Sequence, residues 1–176
     1  MDTSQPDALS SAVRLRPAEQ ADDAAIHAMI RKERLNPLAI TWSHFVLAVT
    51  QNGEIIGCCQ VKTHRDGSRE LASLVVCPEW RGQGVARLLI EYLLERTPGM
   101  LYLTCMDRLE PLYQRFGFQT LHDPATLPLY FRRTLGFFRV FHRLGLAPGQ
   151  LLVMRRQPPS NLASHAPGSW HTPPGQ

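Results

Sequence analysis

The residues best suited to hold a reactive ligand lie in the run PEWRGQGVARLL, residues 78–89. Two glycines, Gly82 and Gly84, stand one residue apart, with Arg81 in front and Arg87 behind. A glycine turn that opens a helix presents successive backbone N–H groups with no intrahelical acceptor, and the helix dipole there favours an anion. Glycine at 82 and 84 lets a pyrophosphate reach the backbone with no Cβ in the way. Arg81 or Arg87 can add charge-assisted contacts. The chemistry is therefore phosphate recognition, and the plain alternative is an ordinary strand-to-helix turn with glycines for packing.

Two common owners of such a turn do not fit. A nucleotide P-loop needs GxxxxGK[ST], which is absent. A dinucleotide fold needs a third small residue where this chain has Arg87, and antiparallel strands in front of the turn are wrong for it. The run Arg81-Gly82-Gln83-Gly84-Val85-Ala86 instead matches [RQ]-x-x-G-x-[GA].

Other reactive side chains read as structural. Cys58, Cys59, Cys77 and Cys105 include no CxxC and no zinc-like spacing, so reduced core thiols are expected and no metal. Cys58 and Cys59 should point to opposite faces of a strand. No neighbour suggests a lowered thiol pKa for Cys105, so it reads as core and not as a nucleophile. His165 and His171 fall in a Pro/Ser/Gly-rich tail and read as solvated.

The chain of 176 residues suggests one domain, and its net charge of +4 suits a phosphorylated small ligand as well as a larger polyanion. No dense Lys/Arg run supports nucleic acid. The N-terminus has no signal-peptide core, and no apolar run approaches the roughly 20 residues of a membrane helix. A cytoplasmic location is expected, with no integral membrane segment. Residues 1–12 and 158–176 read as disordered tails around a domain at 13–157.

The elements that must position the turn follow from periodicity. Val13–Arg16 alternates as a strand, and the segment after it has the helical apolar positions Ala25, Ile26, Met29 and Ile30, ending at Asn36-Pro37. Three strands follow, HFVLAVT, EIIGCCQVKT and SRELASLVV. They are joined by Asn52-Gly53 and Asp66-Gly67, both strong hairpin signals. The third strand runs into the glycine turn. Val85, Leu88, Leu89, Tyr92 and Leu93 then form a helical stripe. MLYLTC is a buried strand, and strand–helix–strand implies a parallel pair. Asp107 and Glu110 form a capping-box pattern before Leu109, Leu112, Tyr113 and Phe116. FQTLH and LLVMRRQ read as strands, with a basic aromatic helix between them. The fold class is α/β, a mixed antiparallel and parallel central sheet flanked by helices.

The order of these segments over residues 13–157, with LVVCPEWRGQGVARLLIEYLL and LYQRFGF as its specific parts, resembles the GNAT superfamily of acyl-CoA N-acyltransferases. The resemblance implies acetyl-CoA as cosubstrate, its pyrophosphate on Arg81, Gly82, Gln83, Gly84, Val85, Ala86 and Arg87. It implies oxyanion donors from the backbone of Leu74, Val75 and Val76. It places Tyr113 where relatives protonate the departing thiolate, and Glu70, eleven residues before Arg81, where some relatives hold a general base. Glu70 should share a strand face with Ala72, Leu74 and Val76, and its plain alternative is an exposed glutamate paired with Arg69 or Lys62. His64 and Asp66 are weaker candidates for the base. Relatives often place an Asn near Met106 and Asp107, and this chain has none there.

The resemblance implies N-acetyl transfer to a small-molecule or peptide amine by direct attack in a ternary complex. The alternative is a catalytically inactive module that binds or senses acyl-CoA. The acceptor site should draw on residues 24–44, with Asn36, Trp42 and His44 as wall residues, and on the insert 122–150. Arg132 and Arg133 are its candidates for a carboxylate. A looser likeness to the acetyltransferase domain of N-acetylglutamate synthases makes a small amino acid one candidate acceptor. The plain alternative for the basic insert is a helix that packs on the sheet or forms a homodimer, and a third reading is contact with a membrane surface.

Overall fold

The computed structural model describes residues 12–33, 35, 40–143 and 149–158. The expected tails lie almost wholly outside the described residues, as do Asn36, His165 and His171.

Seven strands form one sheet. They are β1 (Val13–Pro17), β2 (Phe45–Thr50), β3 (Ile55–Thr63), β4 (Arg69–Val76), β5 (Leu101–Met106), β6 (Gln119–Thr120) and β7 (Leu151–Arg156). Their spatial order is β1-β2-β3-β4-β5-β7-β6. The first four are antiparallel, β4 and β5 are parallel, and β7 pairs antiparallel with both β5 and β6. Among the described residues the α-helices are α1 (Asp23–Lys32), α2 (Val85–Arg96), α3 (Glu110–Gln114) and α4 (Leu129–Arg143).

Alternation along the strands sends side chains to two cores. On one face α2 brings Val85, Leu89, Ile90 and Leu93, and α3 brings Tyr113, onto Val46, Ile56, Cys59, Leu71, Leu103 and Met154. On the other face α1 packs Ile26 and Ile30 against Phe45, Leu47, Cys58 and Val75. On that same face α4 packs Phe131 on Tyr102 and Val153. Cys58 and Cys59 thus serve opposite cores, and all four cysteines are free thiols.

Three local readings are corrected. The capping box falls at Glu19 and Asp22. Asp107–Leu109 winds as a tighter 3-10 turn, so α3 begins only at Glu110. The Glu110 carboxylate accepts from Gln114 Nε2 and Thr120 Oγ1 instead. FQTLH contributes a strand of only two residues at the sheet edge. Most consequential is β4, where Cys58 faces Val75 but Gln60 faces Ala72, so Cys59 opposes two residues, Ser73 and Leu74. This is a β-bulge, and Ser73 sits at φ +56°. The added residue reverses the alternation. Val75 packs under α1, while Leu74 and Val76 pack on the α2 face with Leu71. Glu70 therefore does not share a face with Leu74 and Val76.

Candidate active site

The glycine turn forms directly at the N-terminus of α2. Gly82 and Gly84 adopt φ +76° and +92°, where a side chain is strained. The Leu88 N–H donates to the Gly84 carbonyl at 3.1 Å. The N–H groups ahead of it in the first turn have no intrahelical acceptor. A Cβ on Gly82 would meet nothing within 4 Å, so the turn opens onto free space. The two arginines already have partners. Arg81 pairs with Glu33 at 2.6 Å and donates through Nε to the Val76 carbonyl at 3.0 Å, tying the turn to α1 and β4. Arg87 pairs with Glu91 at 2.8 Å along the exposed side of α2. The backbone, more than either guanidinium, is what the turn offers an anion.

Just before the turn, β4 parts from β5. The parallel strands pair at Glu70 and Tyr102. The Cys77 N–H donates to the Ile56 carbonyl on β3 at 2.8 Å. Because successive residues of a strand face opposite neighbours, Val75 also faces β3, while Leu74 and Val76 turn their N–H groups toward the β5 side.

Glu70 is buried at 4% exposure, not surface-paired. Its Oε2 lies 2.9 Å from His64 Nε2, and its Oε1 accepts from Thr104 Oγ1 at 2.8 Å. Lys62 faces it across β3–β4, its ammonium pKa lowered by burial against the opposing pull of Glu70. The His64 ring stacks on Tyr130 with centroids 3.4 Å apart, and Phe131 meets it edge-on at 5.7 Å. Burial first, then Glu70, raises the Tyr130 phenol. Arg69 turns away to the Pro98 carbonyl. Asp66, the weaker base candidate, is held at about 2 by the Ser68 hydroxyl and then the Tyr130 N–H, so it is a poor proton acceptor.

Tyr113 lies on the opposite face, 7% exposed and edge-on to Phe118 at 6.2 Å. Burial, then the thiols of Cys59 on β3 and Cys105 on β5, raises its pKa well above the usual phenol. It stays protonated at neutral pH, as a proton donor must. Cys105 Sγ rests on Met154 Sδ at 3.8 Å, and burial pushes its thiol up to about 11. It is a core thiol.

The wall residues expected for an acceptor do not converge on Glu70. Trp42 packs against the α1 core, His44 is exposed, and Arg132 and Arg133 are exposed on α4. One cleft of about 440 Å³ lies between α4 and β6–β7, lined by Leu121, Leu135, Phe138, Arg139 and Asp107. A second, of about 580 Å³, lies at the C-terminal end of α2. Neither includes the glycine turn or Glu70 among its lining residues. Gln60, Ser73, Thr104 and Tyr130 are site neighbours that sequence reasoning passed over, and Lys62 entered it only as a surface partner of Glu70. The polar alternation of Gln60 and Lys62 within an apolar strand was the available signal. Among the described residues no His/Cys/Asp/Glu group could hold a metal, and no helix is long and apolar enough to cross a membrane.

A mixed sheet whose parallel pair opens beside a helix-terminal glycine turn is the GNAT acyl-CoA N-acyltransferase fold. Residues 41–120 match the family described as acetyltransferase (GNAT) domain. No curated protein matches the sequence. Among solved structures, the chain is similar to N-acetylglutamate synthase from Neisseria gonorrhoeae complexed with coenzyme A and N-acetyl-glutamate. The identity is 21%, the TM-score 0.62, and 82% of this chain is covered but only 35% of that one. The chain thus spans about a third of the synthase. It is also similar to Rv2747 from Mycobacterium tuberculosis in complex with CoA and NLQ, at 15% identity and TM-score 0.63, covering 82% of this chain and 98% of that one. A GCN5-related N-acetyltransferase from Kribbella flavida matches at 20% identity and TM-score 0.59, covering 83% and 98%.

Proposed function

We propose that the protein transfers an acetyl group from acetyl-CoA to a primary amine of a small molecule or peptide. The observation that carries this reading is the parting of β4 from β5 directly before the glycine turn. It leaves strand N–H donors for a thioester carbonyl within one short run of the N–H groups suited to a pyrophosphate. The residues fit the cosubstrate, since the turn is open where a Cβ would stand on Gly82. Two of the similar structures contain coenzyme A, which supports the same donor.

An alkyl ammonium is mostly protonated at neutral pH, so the acceptor must lose a proton before attack. Glu70, with His64 against its Oε2, is the group to receive it. The Leu74 and Val76 N–H groups stabilise the oxyanion as the amine nitrogen bonds to the carbonyl carbon. The C–S bond then breaks, Tyr113 gives its proton to the leaving thiolate, and the proton still on the attacking nitrogen is lost to leave a neutral amide and restore the phenol. The acyl group passes directly, because Cys105 is buried and protonated. The synthase complex with N-acetyl-glutamate supports an amino acid as one acceptor class. The second reading, a binding module without turnover, draws support from Glu70 itself, since both its oxygens already have partners.

The test is thiol release from acetyl-CoA against a panel of amino acids, alkylamines and peptides. Amine-dependent release supports the transferase. Tight acetyl-CoA binding with only background hydrolysis for every amine supports the binding module.

A further inference from the structure

Gln60 is wholly buried on β3, yet half of its amide is unused. Nε2 donates to Ser73 Oγ at 2.8 Å, while Oε1 has no hydrogen-bond partner. An orphaned buried acceptor is destabilising, and leucine would fill the position without one. Ser73, at the other end of that bond, is the one non-glycine residue with positive φ among the described residues. Such a backbone persists only where its surroundings hold it, and a bulge of this kind ordinarily has glycine there. Gln60 and Cys58 are the β3 residues that frame the bulge. The residue after Ser73 is Leu74, the first whose N–H turns toward the seam.

We propose that the Gln60–Ser73 hydrogen bond is a clamp that holds the β4 bulge and so aims the Leu74 and Val76 N–H groups at the acyl oxygen of a bound thioester. The proposal rests on the acyl-CoA reading above. Gln60 is a positioning residue here, acting through Ser73 on the backbone. Released from the clamp, Ser73 relaxes toward negative φ and the extra residue of the bulge is no longer held in its present conformation. The peptide after Ser73 then rotates, and the donors leave the seam. The effect falls on the acyl group alone, because coenzyme A has the same pyrophosphate and pantetheine but no acyl carbonyl. The clamp also explains a polar side chain that stability by itself does not favour.

Calorimetric titration of acetyl-CoA and of coenzyme A into the full chain tests this. The wild type should bind acetyl-CoA about tenfold more tightly than coenzyme A, the worth of one well-placed hydrogen bond. Gln60→Leu should bring the two affinities together by weakening acetyl-CoA alone, with a melting temperature no lower than wild type. Ser73→Ala removes the clamp from its other end, outside the fully buried core, and should do the same. Glycine adopts positive φ without help, so Gln60→Leu/Ser73→Gly should recover the preference. The proposal is overturned by equal wild-type affinities, by a preference that survives both single changes, by equal weakening of both ligands, or by no recovery in the double variant. A wild type that binds neither ligand overturns the acyl-CoA reading itself.

Discussion

Thr104 Oγ1 donates to Glu70 Oε1 at 2.8 Å, bridging β4 and β5 immediately above the Glu70–Tyr102 pair. The side chain assigned as base is therefore also the fastener at the point where the two strands begin to part. Base and fastener can be separated by experiment. Glu70→Gln keeps the shape and loses the charge, so kcat should fall on the order of 100-fold while the acetyl-CoA Kd stays unchanged. Steady-state thiol release and calorimetry read the two quantities. An unaltered kcat would leave Glu70 as a fastener only.

Tyr113 makes a complementary case. Its phenol is buried, and no hydrogen bond ties it to another described residue, so its proton is free for a leaving group. Tyr113→Phe should lower kcat by about 10- to 100-fold with little change in acetyl-CoA affinity. The ring still packs on Phe118, so the melting temperature should hold. Full turnover in this variant removes Tyr113 from the chemistry.

Gly82 separates backbone conformation from steric room. A methyl group there meets no neighbour, but φ +76° strains any residue with a Cβ by about 1–2 kcal/mol. Gly82→Ala should lower stability by that small amount. It should also weaken both coenzyme A and acetyl-CoA, because the methyl group stands where the pyrophosphate would approach. Thermal melts and calorimetry check both. Undiminished coenzyme A affinity would move the phosphate site elsewhere.

Asp66 sets a pH dependence. Its Oδ2 accepts the Tyr130 N–H at 2.9 Å, an otherwise orphaned donor at the start of α4, and its Oδ1 takes the Ser68 hydroxyl. The folded-state pKa of about 2 lies below the ordinary aspartate value near 3.9. Stability from the ionised form is thus complete above about pH 4 and is lost as pH falls toward 2. The melting-temperature gap between wild type and Asp66→Asn should be constant from pH 8 to 5 and close between roughly 4 and 2. A gap still open at pH 2 rules out the carboxylate's charge as its source.

Much of this architecture is written in local signals. Asn52-Gly53 and Asp66-Gly67 end strands where hairpins require them, and the stripe from Val85 to Leu93 defines α2. The glycine turn was legible because a helix N-terminus and two glycines suffice to specify it. The bulge was not legible, because serine has no preference for positive φ and only its partner, Gln60, holds it there. Glu70 came from the family resemblance, but its burial depends on His64, Thr104 and Tyr130, which arrive from a turn, a strand and a helix far apart in sequence. Arg81 was read as a ligand contact because nothing local shows that Glu33, 48 residues earlier, occupies it. The capping-box pattern at Asp107 and Glu110 misled because Thr120, on the β6 edge strand, takes the same carboxylate.

The place of β7 has a consequence for the order of assembly. The strand nearest the C-terminus lies inside the sheet, between β5 and β6, and supplies Leu152 and Met154 to one core and Val153 to the other. As the chain leaves the ribosome, β1 to β5 can pair while β6 waits without a neighbour. The α2-side core and the α4 cluster cannot close until the final described strand threads into the gap. A ribosome stalled before residue 151 would display a nascent chain with an open sheet edge, the kind of surface that chaperones cover and that aggregates recruit.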